Sequence, residues 1–329
     1  MEWLKGPLRR LVAAILRVRL RLSGRRVGAV ILYHRLDSDH AGWDPTGINP
    51  AIDVSLFEAE VRHLKARYRV VPASELLEAV RARKRGERIP VAITFDDDNA
   101  SHAEKAMPIL KRADLPATFF VCGASLERPF AFWWERVERA LASGVASVEE
   151  LRAMVPESSR SSASTKSGMR AVAADIEFMP PDERDALADE LGRRLGPDPP
   201  DAGLRASALR ELRSSGFDLG FHTLRHRNLT VLDDQRLASA MSEGREELET
   251  AVGGKLAPMI AYPGGKWDER VVSAARAAGY DPGFGFTTDG TTPVEPDSDP
   301  LALGRLDVIW CGTLGQFALA VTRMLSARS

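Results

Sequence analysis

The chain has 329 residues and a formal charge of −1 at pH 7, from 45 basic and 46 acidic side chains. That balance excludes a globally basic nucleic-acid binder, and a chain this long buries about three quarters of its unfolded surface without needing disulfides. The two cysteines, Cys122 and Cys311, sit in apolar runs and read as buried small hydrophobes, as expected in a reducing compartment.

Residues 1–26 break the charge balance. They carry Lys5, Arg9, Arg10, Arg17, Arg19, Arg21, Arg25 and Arg26 against Glu2 alone. Leu8, Leu11, Val12, Ile15, Leu16 and Leu22 share one helical stripe. Arg17 ends the apolar run 11–16, which is too short for a secretory core. No run reaches the roughly 20 apolar residues of a membrane span. The segment reads as a basic amphipathic helix, with two outcomes open. It lies on an anionic membrane face, or it packs on the domain with a solvated basic side. The corresponding expectation for location is cytoplasmic, peripheral at the inner membrane face.

From residue 27 onward, strand-like runs alternate with helical patterns. The runs are 27–33, 69–71, 91–95, 117–122, 217–221, 259–262, 284–287 and 303–309. Ser74 is positioned as N-cap of a helix over 75–85. Pro108 inside the pattern 103–112 predicts a kink or a late start. Further helices are expected over 233–252 and 268–278, both with acidic starts. Such alternation predicts a parallel α/β architecture, and the strand count suits a barrel of the irregular (β/α)7 type.

Residues 127–205 lack strand signals and read as a helical insertion in the barrel. Its 158–167 stretch is Ser-rich and expected to be exposed, and Pro180-Pro181-Asp182-Glu183 starts another helix. Phe132-Trp133-Trp134 is either a sugar-stacking platform or, the favoured reading, the insertion's own core.

In α/β barrels catalytic groups gather at the C-terminal ends of strands. Asp96, His222 and Tyr262 fall there. A catalytic zinc takes three protein ligands and leaves a fourth position for water. His222 and His226, at i and i+4, can face the same way on a turn of helix, and a carboxylate from a neighbouring strand completes the set. Of the adjacent Asp96 and Asp97, one binds the ion and the other serves as general base. His-Glu-x-x-His is excluded, because Thr223 follows His222.

The ordered runs Thr94-Phe95-Asp96-Asp97, His222-Thr223-Leu224-Arg225-His226 and Ala261-Tyr262-Pro263-Gly264-Gly265 resemble the motifs of polysaccharide deacetylases, carbohydrate esterase family four with its NodB-type homology domain. Leu115-Pro116-Ala117-Thr118-Phe119-Phe120 resembles that family's second strand, and Tyr33-His34 its first-strand ending. The resemblance spans roughly 27–309 and implies a barrel over 27–329 interrupted by the insertion. It implies Asp96 as catalytic base and Asp97, His222 and His226 as ligands of a divalent metal, most often Zn2+. It also implies that the Tyr262 backbone helps hold the oxyanion, beside glycines that let the main chain approach substrate.

The sequence departs from the family pattern in three places. Asp98 stands where glycine is usual, and this extra carboxylate either raises a neighbour's pKa or caps the next helix. Ala261 stands where an arginine is usual, and Arg305 is the candidate to orient Asp96 instead. No histidine follows His226, so His34 becomes the candidate general acid, with a satisfied core histidine as its plain alternative. His40, His63 and His102 read as bystanders. Lys166-Ser167-Gly168 lacks an accompanying Ser-x-x-Lys, and Gly283-Phe284-Gly285 lacks the rest of a dinucleotide loop.

The expected function is metal-dependent hydrolysis of the N-acetyl group of an acetylated saccharide or glycolipid-linked sugar. Two rivals stand beside it: an O-acetyl esterase on the same scaffold, and a glycan-binding protein that keeps the site without turnover.

Overall fold

A computed structural model of the chain describes residues 5–37, 48–160, 168–285 and 292–327. The strands are β1 (Ala29–Tyr33), β2 (Leu36–Asp37), β3 (Ile52–Asp53), β4 (Arg69–Val70), β5 (Pro90–Asp96), β6 (Thr118–Val121), β7 (Asp218–Phe221), β8 (Ile260–Ala261), β9 (Gly283–Gly285), β10 (Leu303–Gly304) and β11 (Leu306–Asp307). The helices are α1 (Lys5–Ser23), α2 (Val54–Arg67), α3 (Leu76–Ala82), α4 (Met107–Ala113), α5 (Trp133–Ala142), α6 (Val148–Met154), α7 (Met169–Glu177), α8 (Pro181–Leu195), α9 (Ala206–Ser214), α10 (Asp234–Ala240), α11 (Arg245–Val252), α12 (Glu269–Ala277) and α13 (Leu314–Ser326).

The main sheet is parallel and runs β10-β9-β8-β7-β6-β5-β1-β11, with β4 also pairing with β5. β10 and β11 are consecutive in the chain yet occupy opposite ends of that order. Residues 303–307 therefore reach from β9 to β1 and bring the sheet nearly round into a barrel. β1 and β5 are buried along their whole length, as parallel strands covered on both faces must be. This explains their nearly continuous apolar sequences. The registers Tyr33↔Phe95, Asp96↔Phe120 and Val121↔Phe221 bring the C-terminal ends of four strands to one level.

Several local expectations shift. Pro108 sits in the first turn of α4, directly after a π-helical turn over His102–Ala106, so the helical run begins before the proline and the late start is not the outcome. The helix expected over 233–252 is two helices, because Gly244 takes φ +76° and ends the run. Its missing Cβ leaves room for Leu224, whose side chain would stand 2.9 Å away. The strand expected over 284–287 is Gly283–Gly285; residues 286 and 287 lie outside the described residues. So do His40, Lys166-Ser167 and most of the Ser-rich stretch.

Between β6 and β7, α5 to α8 build a core of their own from residues such as Val137, Leu151, Val172, Ile176 and Leu191. At the other end of the chain, α1 lies alongside α13. Gly6 meets Gly315, where a Cβ would come within 3.0 Å of the Gly6 carbonyl oxygen. Arg25 donates to the Ser326 and Ala327 carbonyls at 3.2 and 2.7 Å. The two helices thus run in the same direction. Among the described residues, no helix is long and apolar enough to cross a membrane. Cys122 and Cys311 are both free and buried.

Candidate metal centre and active site

Three consecutive carboxylates leave β5 and go to three different places. Asp96 is the last residue of the strand. Asp97 takes φ +73°, a left-handed turn that swings each following side chain to a new direction. Asp96 meets Arg305, Asp97 meets the two imidazoles, and Asp98 turns away from both. Among the described residues, the other non-glycine positions with positive φ are Asp114, Thr223 and His226. Strained backbone is therefore concentrated where the proposed ligands converge.

Asp98 does not cap the next helix. Its carboxylate accepts from the backbone N–H groups of Cys122, Gly123 and Ala124 at 2.8, 3.0 and 3.1 Å, and from the Ser125 hydroxyl at 3.3 Å. It ties the end of β5 to the loop after β6. Burial pushes its own pKa up to about 6, against the pull of those N–H donors.

His222 and His226 do not share a turn of helix. Thr223 at φ +59° and His226 at φ +43° fold the segment back in a left-handed turn, and this brings both rings to Asp97. The Asp97 Oδ1 atom lies 3.5 Å from His222 Nε2 and 3.3 Å from His226 Nε2. His222 Nδ1 lies 2.8 Å from the Ala261 carbonyl oxygen. A carbonyl only accepts, so Nδ1 carries the hydrogen and Nε2 is the atom that faces the carboxylates. Metal-binding histidines are typically held in this way, with the second ring nitrogen donating to a backbone carbonyl.

These three residues form a donor set whose ligand atoms all lie within 4.8 Å of one another. The Asp97 Oδ1 atom is buried and makes no hydrogen bond. A buried carboxylate oxygen without a hydrogen bond is costly unless positive charge neutralises it. Burial raises the Asp97 pKa, but the two imidazoles outweigh it and hold the carboxyl well below its usual range. Burial keeps the His226 pKa below its ordinary value despite Asp97. For His222 burial is overcome by Asp96 and Asp97, and the pKa rises. The residues fit a divalent cation: one carboxylate, two imidazoles, and a charge deficit between them.

Arg305 occupies the break between β10 and β11, and its side chain is fully buried. Its Nη1 and Nη2 donate to Asp96 Oδ1 and Oδ2, both at 2.7 Å. This is a bidentate fork. Burial pushes the Asp96 pKa up, but Arg305 and then His222 reverse the shift and keep it below the usual carboxyl value. The base predicted from sequence is thus an ionised carboxylate, fixed in place by the residue that precedes β11, two strands away round the barrel.

His34 follows β1 and lines the same cleft. Its Nδ1 lies 3.9 Å from Asp307 Oδ1, and its carbonyl oxygen is 3.2 Å from His102 Nε2. His102 is fully buried beneath the site. Asp307 was not singled out by sequence, although it closes the strand that follows Arg305 and the strand-end rule points to it.

Tyr262 is corrected by the structure. Its backbone N–H donates to the Phe284 carbonyl at 2.8 Å and its hydroxyl to the Leu301 carbonyl at 2.7 Å. The N–H serves β9 and is not directed at an oxyanion. The neighbouring Gly264 and Gly265 do line the cleft. Gly264 has φ +60°, and a Cβ there would stand 2.5 Å from Glu177 Oε1.

The cleft holds about 350 Å³. Its wall on the insertion side includes Trp133 and Trp134, with Arg170 and Glu177 from α7. Phe132 stacks on Trp134 at 4.7 Å, and Trp134 packs edge-on to His226 at 4.5 Å. The aromatic triplet therefore joins the insertion to His226 and is more than the insertion's own core. Trp310 and Lys266 complete the rim. Arg170 lies 4.4 Å over the Trp310 ring. These residues sit on loops and on an insertion helix, where no periodic signal marks them.

A family model described as polysaccharide deacetylase matches residues 83–150 and 192–283. The chain is similar in structure to the Streptococcus pyogenes deacetylase PplD in complex with acetate, at TM-score 0.56 and 15% identity, over 90% of this chain and 98% of that one. It is also similar to IcaB from Ammonifex degensii, at 0.55 and 18%, over 90% and 97%. For the putative polysaccharide deacetylase BA0330 from Bacillus anthracis the values are 0.55 and 17%, over 90% and 69%. Identities this low establish the shared fold. No curated protein matches the chain.

Proposed function

The chain belongs to the polysaccharide deacetylase family, and from that premise we propose that it removes the N-acetyl group of an acetylated saccharide or glycolipid-linked sugar. A hydrolase acting on acetyl groups is what the family assignment supports. One observation carries the finer reading: Asp97, His222 and His226 converge at the floor of an open cleft, with the Asp96 Oδ2 atom 3.7 Å from His222 Nε2.

Asp97, His222 and His226 would hold the divalent ion, zinc foremost by the chemistry of the set. When bound, such an ion polarises an acyl oxygen and acidifies water. Asp96 takes the proton of the attacking water on a carboxylate oxygen. Arg305 holds both oxygens of Asp96 through one lone pair each and leaves the others open toward the cleft. His34, which lines the cleft with its Nδ1 3.9 Å from Asp307 Oδ1, would protonate the departing nitrogen. An amine is a poor leaving group without that proton, so an acid at this position favours amide over ester substrates. Trp133, Trp134 and Trp310 offer flat apolar surface that suits the faces of sugar rings.

Acetate release from N-acetylated and O-acetylated oligosaccharides, with and without chelator, tests the proposal. Chelator-sensitive release from the N-acetyl substrate is expected. Release confined to the O-acetyl substrate would make the protein an esterase. Saccharide binding with no acetate under any metal would make it a binding protein.

A further inference from the structure

α1 has two apolar faces, and the barrel uses only one of them. Ala13 and Leu20 are buried against the body of the protein, at 1% and 6% exposure. On the opposite side Leu8, Leu11, Ile15, Val18 and Leu22 are 60%, 58%, 51%, 52% and 53% exposed. At 100° per residue these five fall on one stripe, about half a turn from Ala13 and Leu20. They account for most of the large exposed apolar side chains among the described residues. Contiguous exposed apolar surface of this kind marks a contact surface.

The charges around the stripe choose its partner. The same periodicity places Arg19 along one border and Arg10 and Arg21 along the other, and all three are exposed. Between Trp3 and Leu36 there is no acidic residue at all. An apolar band bordered by guanidinium groups on both sides matches a bilayer carrying anionic headgroups. The band enters the acyl boundary while the arginines reach the phosphate level. A protein partner would have to be apolar at its centre and acidic along both edges.

We propose that α1 is a docking surface for an anionic lipid bilayer, held rigidly to the barrel through α13. The helix is thus attached to the domain and still presents a membrane-binding face, a combination of the two outcomes that sequence left open. Gly6 packs against Gly315, at the start of the helix that follows Trp310 on the cleft rim. The proposal does not depend on the catalytic reading.

The test is co-sedimentation of the full chain with vesicles. One set contains equal parts phosphatidylglycerol and phosphatidylcholine, and the other phosphatidylcholine alone. Binding is expected to the first set only and should weaken sharply near 0.5 M salt, where the screening length is only a few ångströms. Leu11→Gln/Ile15→Gln changes two exposed side chains and so leaves the fold intact. It should weaken binding by about tenfold or more through the lost apolar contact. Arg10→Gln/Arg19→Gln should weaken it several-fold through the lost phosphate attraction. Equal binding by all variants, or no vesicle binding by the wild-type chain, overturns the proposal. So does a concentration-dependent dimer in sedimentation equilibrium that Leu11→Gln/Ile15→Gln dissolves, because the face would then be covered by a second copy.

Discussion

Arg305→Met removes the positive half of a buried pair whose members are 0% and 2% exposed. The two 2.7 Å hydrogen bonds put the charge centres about 4 Å apart, worth about 4 kcal/mol at an effective dielectric of about 20. Removing one partner leaves the Asp96 carboxylate inside the barrel without its counter-charge, which costs about 3–5 kcal/mol. Urea unfolding of the metal-free protein should show a loss of that size in Arg305→Met. Asp96→Asn should also destabilise, by stranding the guanidinium. The double variant strands neither charge, so its loss should fall short of the summed single losses by at least about 2 kcal/mol. Arg305→Lys keeps the charge but not the fork and should lie between wild type and Arg305→Met. If the two single losses add to within about 0.5 kcal/mol, the residues are not coupled and the account of how Asp96 is held is wrong.

Asp98→Ala takes the acceptor from three backbone N–H groups and should cost at least about 2 kcal/mol in urea unfolding; an unchanged midpoint would refute its tethering role. Burial holds His63 at a pKa of about 4 against the ordinary 6.5. Between those values the unfolded chain binds the proton and the folded chain does not, so His63 makes stability fall as pH drops from 6.5 toward 4. His63→Gln should flatten that slope, and parallel stability curves for the two proteins would count against it. Gly264→Ala adds a Cβ that meets Glu177 at 2.5 Å at a position with φ +60°. It should lower kcat/KM without changing metal content, and wild-type kinetics would show that the approach of this loop to Glu177 is unimportant.

Much of the barrel was legible because its parallel strands are buried on both faces. The runs that became β1, β5 and β6 are apolar almost without alternation, and His34, Asp96 and, after β7, His222 stand where the strands stop. Arg305 was legible as a compensating cation for the missing arginine at Ala261, and it does reach Asp96. The geometry joining Asp97, His222 and His226 was not legible. Asp97, Thr223 and His226 adopt left-handed backbone without the glycine or asparagine that would signal it. The misplaced role of Tyr262 has a similar origin. A motif gives neighbours in sequence, whereas the donor's fate is decided by β9, a short glycine-rich strand from elsewhere in the chain. Asp98 is also settled by tertiary contact, since its partners lie in the loop after β6. In α1 the stripe was visible, but only the packing of Ala13 and Leu20 shows that it faces outward.

The central claim is that Asp97, His222 and His226 bind a catalytic metal beside Asp96, and bound zinc measured per chain tests it most directly. The wild-type protein and Asp96→Asn should each hold a single equivalent, with acetate release lost only in the variant, while Asp97→Ala should hold none. Full zinc occupancy in Asp97→Ala, or undiminished turnover by Asp96→Asn, would contradict it.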